Sequence, residues 1–145
     1  MSIVRLSEMV NVMIPEDLTD AIEDIPLPNV NRETLVRIVQ YLGYHNVVAP
    51  SNIRKPLRGT NLAANGVGQW DLEFIDLPFS DLRALVEAAN YMMIQPLFEL
   101  GAAKIASEIS GKSRAEMLQY FGIFEEDVNM SNEAYAQMLD YFAQF

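Results

Sequence analysis

One histidine, a Gly-Lys-Ser tripeptide and two runs of carboxylates are the groups in this sequence that could carry chemistry. His45 is the only histidine. A serine triad could use it as general base, but no Gly-x-Ser-x-Gly elbow is there to present a nucleophile. With no cysteine in the chain, a single histidine also leaves a zinc site short of ligands. His45 therefore reads as an ordinary surface histidine at the head of an irregular stretch. Gly111-Lys112-Ser113 matches the end of a phosphate-binding loop. That motif needs a glycine where Ala106 stands, and a strand ahead of it. A helical pattern precedes it instead, so the tripeptide reads as one helix stopping and another starting. Asp71, Glu73 and Asp76 lie close together, and Glu125, Glu126 and Asp127 are consecutive. Paired carboxylates do acid–base work when burial separates their pKa values; runs this dense read as solvated faces and helix-end charges. The sequence supports no enzyme, no catalytic residue, no metal and no cofactor.

What the chain holds in excess is aromatic surface near its end. Tyr120, Phe121, Phe124, Tyr135, Tyr141, Phe142 and Phe145 fall within one short stretch, with Met130, Met138 and Leu139 between them. Each ring buries roughly 150–250 Å², and at about 25 cal/mol per Å² several exposed rings forgo several kcal/mol. On the terminal helix Ala134, Tyr135, Met138, Leu139, Tyr141, Phe142 and Phe145 spread wider than the stripe of about 100° that one-sided docking requires. Either the domain covers these rings or another protein does, a partner or a second copy.

Length and composition bound the rest. The chain has 145 residues, half of them apolar, which suits a single domain burying about 70% of its unfolded surface. Twenty acidic against ten basic residues give a formal charge of −10, which repels a phosphate backbone and argues against nucleic acid. No apolar run approaches the roughly 20 residues of a membrane span, and the first residues lack a signal-peptide layout. The expectation is a soluble intracellular protein.

The elements that must position these groups are mostly helices. Ile3, Leu6, Met9, Val10 and Met13 recur at helical spacing until Pro15, and an acidic connector follows with Glu16, Asp17, Asp20, Glu23 and Asp24. Ile25-Pro26-Leu27-Pro28 reads as a short extended edge. Asn31 is a good N-cap for a helix whose stripe is Leu35, Ile38, Val39 and Leu42, ending at Gly43. From Tyr44 to Gln69 no period is sustained, and Arg54, Lys55 and Arg58 form the densest basic cluster of the chain. That stretch reads as a disordered or variable surface loop, with a binding loop as the alternative. Phe79, Leu82, Val86, Ala89 and Met93 then make a helical face entered through Ser80. Pro96 suits the first turn of the next helix, where Leu97, Gly101, Ile105 and Ile109 repeat every four residues until Gly111. Ser113 and Glu116 have capping-box spacing, and Ser131 or Asn132 caps the last helix.

Five strings in order carry a resemblance. Ile-Pro-Leu-Pro-Asn-Val (Ile25 to Val30), Trp-Asp-Leu-Glu-Phe (Trp70 to Phe74), Ala-Ala-Asn-Tyr (Ala88 to Tyr91), Gly-Lys-Ser-Arg-Ala-Glu-Met (Gly111 to Met117) and Phe121-Gly122-Ile123 occur in turn. Together they resemble the Skp family, the S-phase kinase-associated adaptors of cullin-based ubiquitin ligases. The resemblance covers most of the chain from Ile25 to about Asp127. It implies an α/β fold that is mostly helical: a BTB/POZ-type domain with few strands over residues 1–110, its loop at about 44–69, and carboxy-terminal F-box-binding helices over 111–145. It also implies a non-catalytic adaptor, cytoplasmic and nuclear, that joins F-box substrate receptors to a cullin. Asn90 and Tyr91 match cullin-facing positions. Leu97, Leu100, Ile105, Ile109, Phe121 and Ile123 match the F-box-binding region, to which the resemblance adds Tyr135, Met138, Tyr141 and Phe142 of the aromatic tail.

Three departures bear on partner choice. The family begins with a β-hairpin, whereas this sequence starts directly at a helical pattern, which leaves a sheet edge to be covered. The family's loop is often acidic, and here it is basic. The terminal helix reads Gln137-Met138-Leu139-Asp140-Tyr141-Phe142 in place of a tryptophan-bearing polar pattern. The alternative reading keeps the fold and removes the ligase: a Skp-like or elongin C-like subunit binding F-box-like helices elsewhere. A homodimer through the apolar carboxy-terminal surface is the further partner expected.

Overall fold

The structure, a computed structural model, describes residues 26–123 and 132–144. The helical pattern from Ile3 to Met13, the acidic connector, Ile25, Phe124, the Glu125–Asp127 run and Ser131 lie outside the described residues. No strand occurs among the described residues, and the fold they form is helical. The expected extended edge at Pro26–Pro28 is a turn, in which the Val30 N–H donates to the Leu27 carbonyl at 3.2 Å. Pro28 and Asn29 occupy the two central positions of that turn, where their fixed or adaptable backbones suit it best.

The chain divides into two compact units, Met1–Pro50 with Ser80–Phe98, and Ser51–Phe79 with Glu99–Phe145. In the first, Asn31 opens α1 (Arg32–His45) by accepting from the Thr34 N–H at 2.8 Å. The buried face is Thr34, Ile38, Tyr41, Leu42 and His45. This differs from the expected stripe: Val39 is 54% exposed and Tyr41 only 1%. Two groups with polar tips, Tyr41 and His45, take the core positions by packing on one another, rings tilted at 50° with centroids 4.3 Å apart. The helix therefore runs through Gly43, where a termination was expected. His45 corrects its reading as a surface histidine. It is 6% exposed, packs edge-on against Tyr44, and pairs its Nδ1 with the Val48 carbonyl at 2.9 Å. The ring anchors the last turn of α1 and the chain that leaves it.

The second unit contains Ser51 to Gln69, most of the Tyr44–Gln69 stretch expected to be disordered or variable, and here it is folded. Ile53, Leu62 and Val67 are buried, and a 3-10 turn covers Ala63–Asn65. Asn65 organises it. Its Oδ1 accepts from the Arg58 N–H at 2.7 Å, and its Nδ2 donates to the Arg58 and Asn61 carbonyls at 3.1 and 2.7 Å. The Asn65 carbonyl accepts from the Arg54 N–H at 2.8 Å. A buried amide with its groups satisfied in this way substitutes for the ladder that periodic structure would supply. Helix α2 (Gln69–Phe74) follows. Its Asp71 is buried, unlike the solvated carboxylate expected there. It accepts from the Ser51 hydroxyl, whose oxygen accepts from the Gly68 N–H at 3.0 Å. Asp71 is thus committed to tying the loop's start to its end.

Helix α3 (Phe79–Tyr91) buries Leu82, Leu85, Ala88 and Ala89, so Leu85 and Ala88 replace the expected Val86 and Met93. Helix α4 (Gln95–Ile109) buries Leu97, Gly101, Ile105 and Ile109 as its four-residue repeat indicated, and Leu100 beside them. Gly111, at φ +77°, ends it. Ser113 then opens α5 (Arg114–Phe121) with a complete capping box: Glu116 N–H to the serine hydroxyl oxygen at 3.3 Å, and Ser113 N–H to the Glu116 carboxylate at 2.7 Å. That backbone donor holds the Glu116 carboxyl below its usual range. The helix stop and start read from Gly111-Lys112-Ser113 are both present. Helix α6 (Asn132–Ala143) closes the described chain.

Candidate protein-interaction surfaces

The first surface is the corner where α3 ends, within the first unit. Ala88 and Ala89 are buried, so the next two residues, Asn90 and Tyr91, point outward; Tyr91 is 38% exposed. The corner is closed by a Schellman arrangement, with the Ile94 N–H donating to the Ala89 carbonyl at 2.9 Å and the Met93 N–H to the Asn90 carbonyl at 3.2 Å. The residue in the left-handed position is Met93, at φ +55° and 52% exposed. Glycine normally occupies that place, because a Cβ there meets the following carbonyl at a cost of about 1–2 kcal/mol. Met93→Gly is expected to raise stability by about 1 kcal/mol, read as a higher urea midpoint at unchanged slope. An unchanged or lower midpoint would show that the exposed Met93 side chain supplies contacts that offset its backbone.

The second surface belongs to the second unit and answers the question of the aromatic tail. Phe79, the first residue of α3, packs its ring 5.0 Å from both Tyr120 and Phe121. Phe121 stacks on Phe142 at 6.2 Å, and Phe142 meets Tyr141 edge-on at 5.3 Å. The cover thus fades along the row: Tyr120, Phe121 and Phe142 are half-buried, while Tyr141 stays 47% and Ile123 36% exposed. The Tyr120 hydroxyl is buried without a hydrogen bond of normal geometry. Burial, and then the nearby Glu108 carboxylate, push its pKa well above the ordinary phenol value. Burial would lower the Lys104 ammonium, but Glu108 at 2.8 Å and Asp76 at 3.5 Å together raise it. That cation is engaged on the domain's own carboxylates.

Beside the row lies a cleft of about 230 Å³. Ala106, Ile109, Ser110 and Gly111 at the end of α4 form one wall, with Met117 of α5 and Phe142 and Ala143 of α6 opposite. Leu57 and Gly59 of the folded loop complete it. Of the residues expected to face a receptor, Ile109 and Phe142 line this cleft, Phe121, Tyr141 and Phe142 form the aromatic row, and Ile123 is exposed just after α5. Leu97, Leu100 and Ile105 are buried in the chain's own packing, and the side chains of Tyr135 and Met138 lie outside the described residues. Leu57 and Gly59 went unnoticed in the sequence, and Phe79 was read only as part of the buried face of α3. Leu57, with Ile53, Leu62 and Val67 scattered without a period, was the sign that the basic stretch had an apolar task. Among the described residues no three His, Cys, Asp or Glu side chains gather to hold a metal, and no helix is long and apolar enough to cross a membrane. The two surfaces differ in kind: one is an exposed polar–aromatic corner, the other an apolar cleft with an open aromatic edge.

Comparison with known proteins agrees with the resemblance. Residues 1–47 match the description "Skp1 family, tetramerisation domain", and residues 95–138 match "Skp1 family, dimerisation domain". The chain is similar to an "S-phase kinase-associated protein 1 homolog" of Tetrahymena thermophila, 35% identical over 122 residues, which is 83% of this chain and 72% of the relative. It is 33% identical over 122 residues to "SKP1-like protein 9" of Arabidopsis thaliana, again 72% of the relative and 84% of this chain. It is also 32% identical over 108 residues to "E3 ubiquitin ligase complex SCF subunit sconC" of Arthroderma benhamiae, 74% of this chain and 65% of that protein. With a helical BTB/POZ-type body, an Ala-Ala-Asn-Tyr corner that exposes Asn90 and Tyr91, and an extension ending in an aromatic row, the chain belongs to the Skp1 family.

Proposed function

We propose that the chain is a non-catalytic adaptor of an SCF-type cullin ubiquitin ligase, linking F-box substrate receptors to the cullin scaffold. The observation that carries this reading is its likeness over 108 residues to fungal proteins described as SCF subunits. The geometry supports it with two different surfaces, one for each partner. Asn90 and Tyr91 at the α3 corner face the cullin. The α5–α6 face, with Phe121, Ile123, Tyr141 and Phe142 and with Ile109 in its cleft, takes the F-box helices. Residues 1–110 act as the BTB/POZ part and 111–145 as the receptor-binding part, working in cytoplasm and nucleus. A second reading, homodimerisation through the same aromatic edge, is favoured by the dimerisation domain that names the family match over residues 95–138. A receptor covering Tyr141 would then displace the second copy.

Calorimetric titration with an F-box segment tests both readings. Saturable one-to-one binding with a fall in heat capacity is expected, since apolar burial is what lowers it. Tyr141→Ala is expected to weaken that binding about tenfold, as loss of an aromatic anchor at an interface centre does. A folded chain that binds no F-box segment sinks the adaptor reading. Dimers that persist at saturating F-box segment would place self-association on another face.

A further inference from the structure

Between Glu33 and Asp71 the chain carries no carboxylate, although acidic residues outnumber basic ones twenty to ten overall. The folded loop lies inside that interval and holds Arg54, Lys55 and Arg58. Lys55 is committed to Glu99 at 2.6 Å. Arg54 and Arg58 are exposed, and neither makes an ion pair among the described residues. Their backbones are nonetheless fixed by one side chain and its own peptide. Asn65 receives the Arg58 N–H on Oδ1 and the Arg54 N–H on its main-chain carbonyl. A shallow cleft of about 430 Å³ adjoins Arg54, lined by Asn52, Ala63, Ala64, Asn65 and Gly66 as well, with no carboxylate in its wall.

We propose that this loop is a docking surface for a carboxylate-rich segment of a partner protein. The argument is charge complementarity on a prepared backbone. Guanidinium forks pair with carboxylates bidentately, and a loop already held in place loses little ordering entropy when a partner arrives. A lone exposed ion pair contributes little, so the surface acts through both arginines together. The same charges do not suit nucleic acid. Two exposed arginines fall short of the several phosphate contacts that binding a nucleic-acid backbone rests on. The site goes beyond the adaptor reading and uses neither the α3 corner nor the aromatic edge.

The test is fluorescence anisotropy of a labelled oligoglutamate peptide titrated with the full chain at about 0.15 M salt. There the screening length is about 8 Å, so remote acidic charge is masked while direct contacts survive. Saturable binding is expected, weakened about tenfold by Arg54→Ala with Arg58→Ala. Arg54→Glu with Arg58→Glu should abolish it, and Lys112→Ala should leave it unchanged. Both arginine side chains are exposed, so the variants should keep the parent urea midpoint. No binding by the parent chain, full affinity in the double alanine variant, or tighter binding of a single-stranded oligonucleotide of equal charge overturns the proposal. Unchanged F-box titration of the same variants keeps its failure distinct from failure of the adaptor reading.

Discussion

Replacing Asn90 and Tyr91 together by lysine is expected to lower cullin affinity a hundredfold or more and to leave F-box affinity within about twofold. The expectation follows from where the two side chains stand. Ala88 and Ala89 fix the end of α3 in the core, and the chain then turns through Met93 with two backbone hydrogen bonds closing it. Asn90 and Tyr91 are the exposed residues that this corner presents on the helix side. A tyrosine at the centre of an interface supplies a large contact with little rotamer entropy to lose. Lysine in its place loses that contact and brings a charge that must be desolvated without a partner. Neither substitution touches the packed face of α3, so the fold should survive with its helical dichroism and urea midpoint unchanged. The readout is a pair of titrations on the same variant. Loss of both affinities would report unfolding, and loss of neither would remove the cullin from this corner. Loss of cullin binding alone distinguishes the ligase adaptor from a Skp-like subunit of another assembly, in which F-box binding would not be joined to a cullin at all.

Whether an element could be read from the sequence depended on how local its cause is. The N-cap at Asn31, the stop at Gly111 and the capping box at Ser113 and Glu116 each depend on residues within one turn of each other, and all are present. The repeat through Leu97, Ile105 and Ile109 was equally readable, because a helix buried along that line needs no knowledge of its neighbours. The misreadings share a different cause. Val39 and Tyr41 exchange places on α1 because Tyr41 packs its ring against His45, and residue type alone ranks valine as the better core residue. Asp71 is buried because Ser51, far along the chain, supplies its donor. The interaction surfaces divide in the same way. Asn90 and Tyr91 were reached through a family string. The loop's share of the cleft, Leu57 and Gly59, depends on a fold with no hydrophobic period to announce it.

That loop gives the second large expectation: Gly66→Ala should cost about 3 kcal/mol and disturb the cleft as well as the loop. Gly66 follows the 3-10 turn at φ +97°, in the left-handed region that side chains avoid. A Cβ there would press into the carbonyl oxygen of Asn52, a backbone atom that no rotamer change can move aside. The conformational penalty is about 1–2 kcal/mol, and overpacking against fixed atoms adds about 1–3 kcal/mol. Relief requires the Asn52–Arg54 segment to withdraw, which breaks the hydrogen bond from the Arg54 N–H to the Asn65 carbonyl. Asn65 then loses the partner that aligns it with Arg58, and Leu57 and Gly59, on either side of Arg58, leave the cleft wall. The urea midpoint should fall accordingly, and amide exchange should accelerate first at Arg54 and Arg58, ahead of α1. Gly111→Ala is the matched control: it carries the same positive-φ penalty, but its Cβ meets no atom within 4 Å. A Gly66 variant no less stable than the Gly111 variant would mean that Asn52 yields easily and that Asn65 does not hold the loop. A larger loss in Gly66→Ala than in Gly111→Ala, with F-box binding weakened only in the former, would make the basic loop a working part of the receptor face.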